Sequence, residues 1–211
     1  MRVGILGSGM VGQALGRGFA SRGHDVMVGS RKPQSDELRA WLRATKGKVS
    51  TGTPSEAAAH GEVIVLATHG EAAEAAIDLA GRGNFDGKLV IDVTNPLDGK
   101  GGVFVGTTDS LGERVQRKLP KAKVVKAFNT VPSAQMVDPH VPGGPPEMLI
   151  CGNDADAKRR VVGALKDFGW PGAIDVGGIE AARWLEAIVP LWVRVGQVLG
   201  TWEHMWKVVR P

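Results

Sequence analysis

Cysteine is almost missing from this chain: Cys151 is the only one among 211 residues, which excludes an intrachain disulfide and a cysteine-based metal site. Also missing is any uncharged apolar run of the ~18–20 residues needed to span a bilayer. The N-terminus does not read as a signal peptide, because Arg2 leads into a short strand-like run and then into glycines. Internal repeats and low-complexity segments are lacking as well. What is there has the balance of a globular protein, with 43% hydrophobic and 23% charged residues. The length fits one domain, or one with a small appendage. Glycine stands out, with 30 residues, about twice the usual ~7% share. It shows no collagen-like period, so these residues are expected at turns and close backbone approaches.

The charge is uneven. The whole chain carries 26 Lys/Arg against 22 Asp/Glu, a formal net of +4, whereas residues 1–50 hold nine basic and three acidic residues. Aromatics are sparse in that basic segment (Phe19 and Trp41), unlike the interleaved pattern of a nucleic-acid binder. A phosphate-bearing small molecule accounts for it better than a polymer. The expectation is a soluble cytoplasmic protein whose partners are small molecules, not nucleic acid or membrane.

Residues 2–6 read as a short buried strand running into Gly7-Ser8-Gly9-Met10-Val11-Gly12. A helix over 10–22 follows, with Val11, Ala14, Leu15 and Phe19 at helical spacing. His24–Gly29 gives a second strand, about 35–46 a helix, and Val49 a short strand. Apolar runs recur at 62–67, 89–93, 123–128 and 147–151, with helical stretches such as 71–81 and 110–118 between several of them. Strands alternating with helices predict an α/β fold of the Rossmann type, a doubly wound parallel sheet. The breaker cluster at 138–146 and the five tryptophans beyond residue 169 predict a smaller C-terminal helical or α+β lobe. The expected division is 1–138 for a dinucleotide-binding domain and 139–211 for the lobe. Within the lobe, 178–199 reads as one long helix strained by Pro190.

The glycine triplet at 7, 9 and 12 is the strongest motif. The first allows a tight turn, the second lets the backbone approach a pyrophosphate, and the third lets helix pack on strand. Amides at the helix N-terminus then face the phosphate. The end of the second strand selects the dinucleotide. NAD sites place an acid ~20 residues after the glycines; here Ser30-Arg31-Lys32 stand there, with no acid until Asp36. A hydroxyl and two cations favour the 2′-phosphate of NADP(H). By the strand reading, Thr68-His69-Gly70, Thr94-Asn95-Pro96 and Asn129-Thr130 lie at strand C-terminal ends, where the site belongs.

Gly7–Gly12, Val28-Gly29-Ser30-Arg31, Ile91-Asp92-Val93-Thr94-Asn95-Pro96-Leu97 and Val125-Lys126-Ala127-Phe128-Asn129-Thr130-Val131 together resemble NADPH-dependent coenzyme F420 reductases. The oxidoreductase domain of the six-transmembrane metalloreductases is similar too. Further matches are Cys151-Gly152-Asn153-Asp154 with Ala157-Lys158, and Ile179–Leu191 containing Arg183, Leu185 and Glu186. The resemblance runs in order along essentially the whole chain, without the membrane part of the metalloreductases. It implies direct hydride transfer between NADP(H) and a deazaflavin (coenzyme F420) or flavin, with no side chain acting as acid or base. It also implies that Thr68, His69, Gly70, Thr94, Asn95, Pro96 and Ser133 line the nicotinamide end. This chain departs from the family at Thr68-His69-Gly70, where members often carry an apolar residue followed by Pro-Trp.

His69 is the one candidate catalytic residue, since an imidazole beside a reacting carbonyl could donate a proton. The plainer reading is a loop histidine touching cofactor or solvent. Asn95 and Asn129 are read either as site residues or as local loop caps. Cys151 reads as a buried inert thiol, and Asp92, inside Val-Ile-Asp-Val, as a structural acid needing an internal partner. Two other functions stay open: an NADP-dependent reductase of a small carbonyl or imine, and a nonenzymatic NADP(H)-binding sensor. The absence of lysine from 178–199 counts against the hydroxyacid-dehydrogenase form of the first. Residues 178–211 carry more apolar side chain than one helix can bury on a sheet edge, which predicts a homodimer and a lobe that completes the second-substrate cleft.

Overall fold

The computed structural model describes residues 1–209 apart from Gly101, Thr107 and Pro145, so Pro145 of the expected breaker run lies outside the described residues. In chain order the elements are β1 (Arg2–Leu6), α1 (Met10–Ser21), β2 (Asp25–Gly29), α2 (Asp36–Ala44), β3 (Lys48–Gly52), α3 (Pro54–His60) and β4 (Val63–Leu66). There follow α4 (Ala73–Ala80), β5 (Leu89–Asp92), α5 (Leu111–Lys118), β6 (Lys123–Lys126), β7 (Met148–Gly152) and α6 (Ala155–Asp167). The chain then forms β8 (Ala173–Asp175), α7 (Ala182–Ala187) and α8 (Val189–Leu199). Strands β3-β2-β1-β4-β5-β6-β7-β8 lie side by side in one sheet. The first six are parallel and run in the doubly wound order, which reverses between β1 and β4.

The sheet is buried on both faces, which is why its strands are unbroken apolar runs rather than alternating ones. In β4, Val63 and Val65 join a core with Leu15 and Phe19 of α1, Trp41 of α2 and Leu165 of α6. Their neighbours Ile64 and Leu66 point the other way, onto Ala57 of α3, Ile77 of α4, Val115 of α5 and Leu185 of α7. Helix starts follow from local chemistry. Thr53 and Glu56 form a reciprocal capping box at α3, with Pro54 at its first position. Ser35, Ser110 and Asp154 cap α2, α5 and α6 through their side-chain oxygens.

Two expectations need correcting. The sheet is not wholly parallel: β7 runs antiparallel to β6, and β8 pairs parallel with β7. An apolar run carries no direction, so its hydrophobicity could not tell the two pairings apart. The sequence 178–199 is also not one helix. A 3₁₀ turn over Ile179–Ala181 leads into α7, and α8 begins anew at Val189 with Pro190 in its first turn. Proline lacks an N–H and its ring crowds the carbonyl four residues back, so it is tolerated only where a helix begins.

The expected boundary at 138/139 falls between β6 and β7, which are hydrogen-bonded neighbours. Trp170 is buried in the same core as Val3 and Ile5, with its Nε1 donating to the Met136 carbonyl at 2.9 Å. Cys151 is fully buried, and burial pushes its thiol up to about 12, as suits an inert core residue. Among the described residues, no helix is long and apolar enough to cross a membrane.

Candidate active site

The turn from β1 into α1 is shaped by contacts that only glycine permits. Gly7 has φ of +124°, and a Cβ there would lie 2.3 Å from the Ala67 carbonyl oxygen. At Gly12 a Cβ would lie 1.9 Å from the Gly7 carbonyl oxygen. Gly9 is different: a Cβ would meet nothing among the described residues within 4 Å. Packing therefore explains the first and third glycines, whereas the second borders open space where a ligand backbone fits. Gly9 precedes α1 with no side chain capping the helix, and the first turn of α1 carries no acid. Its free amides and positive helix end suit a diphosphate. Gln13 steadies the turn by donating to the Ser8 carbonyl at 2.9 Å and to Glu37 at 2.8 Å. Met10, 79% exposed, stands at the rim, while Val11 packs against the core.

At the end of β2, the Ser8 hydroxyl lies 3.3 Å from that of Ser30, whose oxygen accepts the Lys32 amide at 3.1 Å. Arg31 and Lys32 are exposed. Among the described residues, neither has a carboxylate partner, although Glu37 nearby is taken up by Gln13. The glycine turn and the basic turn thus meet along one edge of the β1–β2 end.

On the other side the strand ends close up in sequence. Gly7 abuts the Ala67–Thr68 peptide, and a Cβ on buried Gly70 would lie 2.1 Å from the Asn95 carbonyl oxygen. Asn95 Nδ2 donates to the Asn129 carbonyl at 2.7 Å, and Asn129 Nδ2 donates to Asn95 Oδ1 at 3.1 Å. Asn129 Nδ2 also reaches the Leu185 carbonyl on α7 at 2.7 Å. The two asparagines therefore bridge loops rather than cap their own. Thr68 Oγ1 and Asn129 Oδ1 are buried polar atoms with no partner among the described residues, the condition expected beside a polar ligand. His69 is exposed and precedes the 3₁₀ turn Gly70–Ala72 without a side-chain hydrogen bond to it. Pro96 is buried, and its carbonyl accepts from Phe104. Phe128, just before Asn129, has φ of +63°, a strained setting for a bulky residue. Ser133 lines a groove of about 380 Å³ with Ala14, Arg17, Gly18 and Lys46.

Sequence reasoning left Lys126 and Glu186 without roles, and both lie directly beneath these loops. Asp92 and Lys126 are the last residues of β5 and β6 and are partners in register. Lys126 Nζ donates to Asp92 Oδ2 at 2.9 Å, to the Thr94 carbonyl at 2.8 Å and to Glu186 Oε1 at 2.8 Å. Asp92 and Lys126 are wholly buried and Glu186 nearly so. Burial by itself would lower the lysine pKa, but the two carboxylates outweigh it and hold it above its ordinary value. Glu186 also accepts the amides of Leu111 and Gly112 at 2.8 and 2.9 Å, at the positive start of α5. Asp92 thereby has the internal partner expected of it. The available signal was one acid and one base at matching ends of two apolar runs.

The strand order and the glycine turn define a dinucleotide-binding protein of the Rossmann type. The family model for NADP oxidoreductases described as coenzyme F420-dependent matches residues 2–96. A crystal structure of an Arthrobacter sp. FB24 protein, assigned as an F420-dependent NADP-reductase, superimposes with a TM-score of 0.95 and 38% identity over 100% of both chains. The F420-dependent NADP reductase of Methanocaldococcus jannaschii is 29% identical over 90% of both chains. Metalloreductase STEAP3 of Rattus norvegicus is 32% identical over 90% of this chain, which spans 38% of that protein's length. The chain belongs to the F420-dependent NADP oxidoreductase family, a family of oxidoreductase enzymes.

The contrast between the glycines is testable by thermal unfolding and dinucleotide titration. Gly9→Ala should leave the melting temperature almost unchanged while weakening dinucleotide binding about tenfold or more. Gly12→Ala should destabilise the fold itself by about 1–3 kcal/mol through overpacking. Equal effects of the two on stability would contradict the assignment of open space to Gly9.

Proposed function

We propose that this chain binds NADP(H) at the end of the parallel sheet and catalyses hydride exchange between it and a deazaflavin, coenzyme F420, or a flavin. The observation that carries the reading is the unobstructed Gly9–α1 cradle with the unpaired cations Arg31 and Lys32 beside it. Gly7, Ser8, Gly9, Met10, Val11 and Gly12 would hold the diphosphate, and Ser30, Arg31 and Lys32 the 2′-phosphate. Thr68, His69, Gly70, Asn95 and Pro96 would border the nicotinamide. When bound, the cofactor supplies or accepts the hydride at its nicotinamide C4. The protein's part is then to fix the ring face and exclude water, which is catalysis by proximity and orientation. Nothing in that step needs a side-chain acid or base. The unpartnered Thr68 Oγ1 and Asn129 Oδ1 offer a donor and an acceptor for the carboxamide.

The C-terminal lobe, residues 139–211, is proposed to complete the acceptor cleft and to join two copies. Helix α8 buries only Val189 and Gly196, while Leu191 is 55%, Val198 70% and Leu199 59% exposed, with Trp184 and Trp202 also more than half exposed. Such a contiguous apolar surface is of the kind that an interface covers. The proposed setting is cytoplasmic.

Three measurements check these readings. Arg31→Ala removes one charge-assisted hydrogen bond, typically ~1.5–3 kcal/mol, and should weaken NADPH roughly 10- to 100-fold with little change for NADH. Equal weakening of both would mean that Arg31 does not read the 2′-phosphate. Following NADPH absorbance with a deazaflavin, a flavin and simple carbonyls in turn should give turnover with the deazaflavin or flavin. In that assay His69→Gln should cost far less than the ~10²–10⁴-fold expected for a lost general acid. Turnover with carbonyls alone, or a full general-acid loss at His69, would move the assignment to a carbonyl or imine reductase. Tight binding without turnover would indicate a sensor. Sedimentation of the double variant Leu191→Glu, Val198→Glu should show monomers where the parent shows dimers, and a monomeric parent would overturn the interface.

A further inference from the structure

We propose that Lys126 is the positioning residue of the hydride-transfer end, acting as a buried three-way tether that sets where the Thr94–Pro96 loop, the Asn129 loop and α7 stand relative to one another. The inference rests on the proposed function in that it takes these loops to border the nicotinamide.

An ammonium has three N–H bonds and here each has one acceptor on a different element: Asp92 on β5, the Thr94 carbonyl on the loop that follows, and Glu186 on α7. No donor is spare, so the group cannot shift without leaving a buried charge unpaired. Thr94 is fixed from both sides, because its own amide and hydroxyl donate to Asp92 Oδ1 at 3.0 and 2.6 Å. The next residue is Asn95, which carries the bridge to Asn129 and crowds Gly70. Glu186 follows Leu185, whose carbonyl receives Asn129 Nδ2. The Thr94 that the tether holds precedes Asn95, and the Glu186 that it holds follows Leu185, which receives Asn129. Hydride transfer is sensitive to such placement, since a misplacement of about 1 Å can cost on the order of 10²-fold in rate. The glycine turn, by contrast, is held by its own contacts with Ala67 and Ser8. Binding of the diphosphate and positioning of the ring are thus separable in this fold.

The test pairs Lys126→Met with Asp92→Asn in the full chain. This removes one positive and one negative charge, and the asparagine Oδ1 can still accept from Thr94. Hydrogen exchange of the ligand-free protein should rise at residues 93–97, 127–131 and 182–188 and stay unchanged at 7–12. NADPH affinity should be kept, while turnover falls on the order of 10²-fold and the face selectivity for deuterium at C4 is lost. Glu186→Gln, a milder cut of the same tether, should raise exchange in the same segments by less. Exchange that rises everywhere, or NADPH affinity that falls in step with turnover, would reduce Lys126 to general stability. Unchanged selectivity and turnover with raised exchange would overturn the positioning role outright. Were the parent to transfer hydride to no acceptor, the proposed function would fail, while the exchange pattern would still decide the tether.

Discussion

An ammonium group with no access to water sits between two carboxylates beneath the strand ends, and much of the surrounding geometry answers to it. Lys126 must place three hydrogen bonds inside the protein, and the three acceptors come from three parts of the chain. Two carboxylates around one cation leave an excess of negative charge. The amides at the start of α5 meet it, through Leu111 and Gly112 on Glu186. Removing Lys126 alone would leave two buried carboxylates without their cation, typically ~3–5 kcal/mol. The order of β5 beside β6, the exit path of the Thr94 loop and the seat of α7 are thus parts of one electrostatic arrangement.

Around that point the site is drawn tight by close backbone approaches. Gly7 lies on the Ala67–Thr68 peptide, Gly12 on Gly7, and Gly70 on Asn95. The first and last of these bring β1 to β4 and β4 to β5, and the Asn95–Asn129 bridge adds β6, so four neighbouring strands deliver their loops to a continuous rim. The strained backbone of Phe128 belongs to the same pattern. Its ring is held in the core against Phe168, and its amide meets Met148, while the residue after it is turned toward Asn95 and Leu185. Packing against Phe168 and Met148 offsets a conformation that the residue would not adopt alone.

The C-terminal part is tied to this rim at several points and is open elsewhere. Arg183 holds Glu113 with two hydrogen bonds of 2.8 and 2.6 Å, which, with Glu186, fastens α7 to α5. That pairing keeps the Glu113 carboxyl below its ordinary range, chiefly through the guanidinium hydrogen bonds. Beyond Pro190 the chain changes character. Trp192 stacks on His204 at 4.6 Å, and each of the two also meets the other's backbone carbonyl. Gly196 leaves room for Trp202. The tail thereby packs along one side of α8, and Leu191, Val198 and Leu199 stay exposed.

Much of the architecture was legible from the sequence because its signals are local. A glycine turn after a short apolar strand and apolar runs such as 62–67 are set by neighbouring residues. Their physics does not depend on the rest of the chain. The same holds for the cations at Arg31 and Lys32, where the absence of an acid could be read directly. What the sequence could not express was pairing at a distance. The antiparallel direction of β7, the Asn95–Asn129 bridge and the partners of Asp92 depend on which strands become neighbours and in which register. Apolar runs carry no record of either. Pro190 was visible, but only tertiary packing decided that the helix would restart there. The buried charge makes the difference plainest: Asp92 and Lys126, 34 residues apart, become one unit only when β5 and β6 align. The fold class was therefore determined by sequence pattern, and the position of each loop over the site was decided by tertiary structure, where burial turns distant charges into obligatory partners.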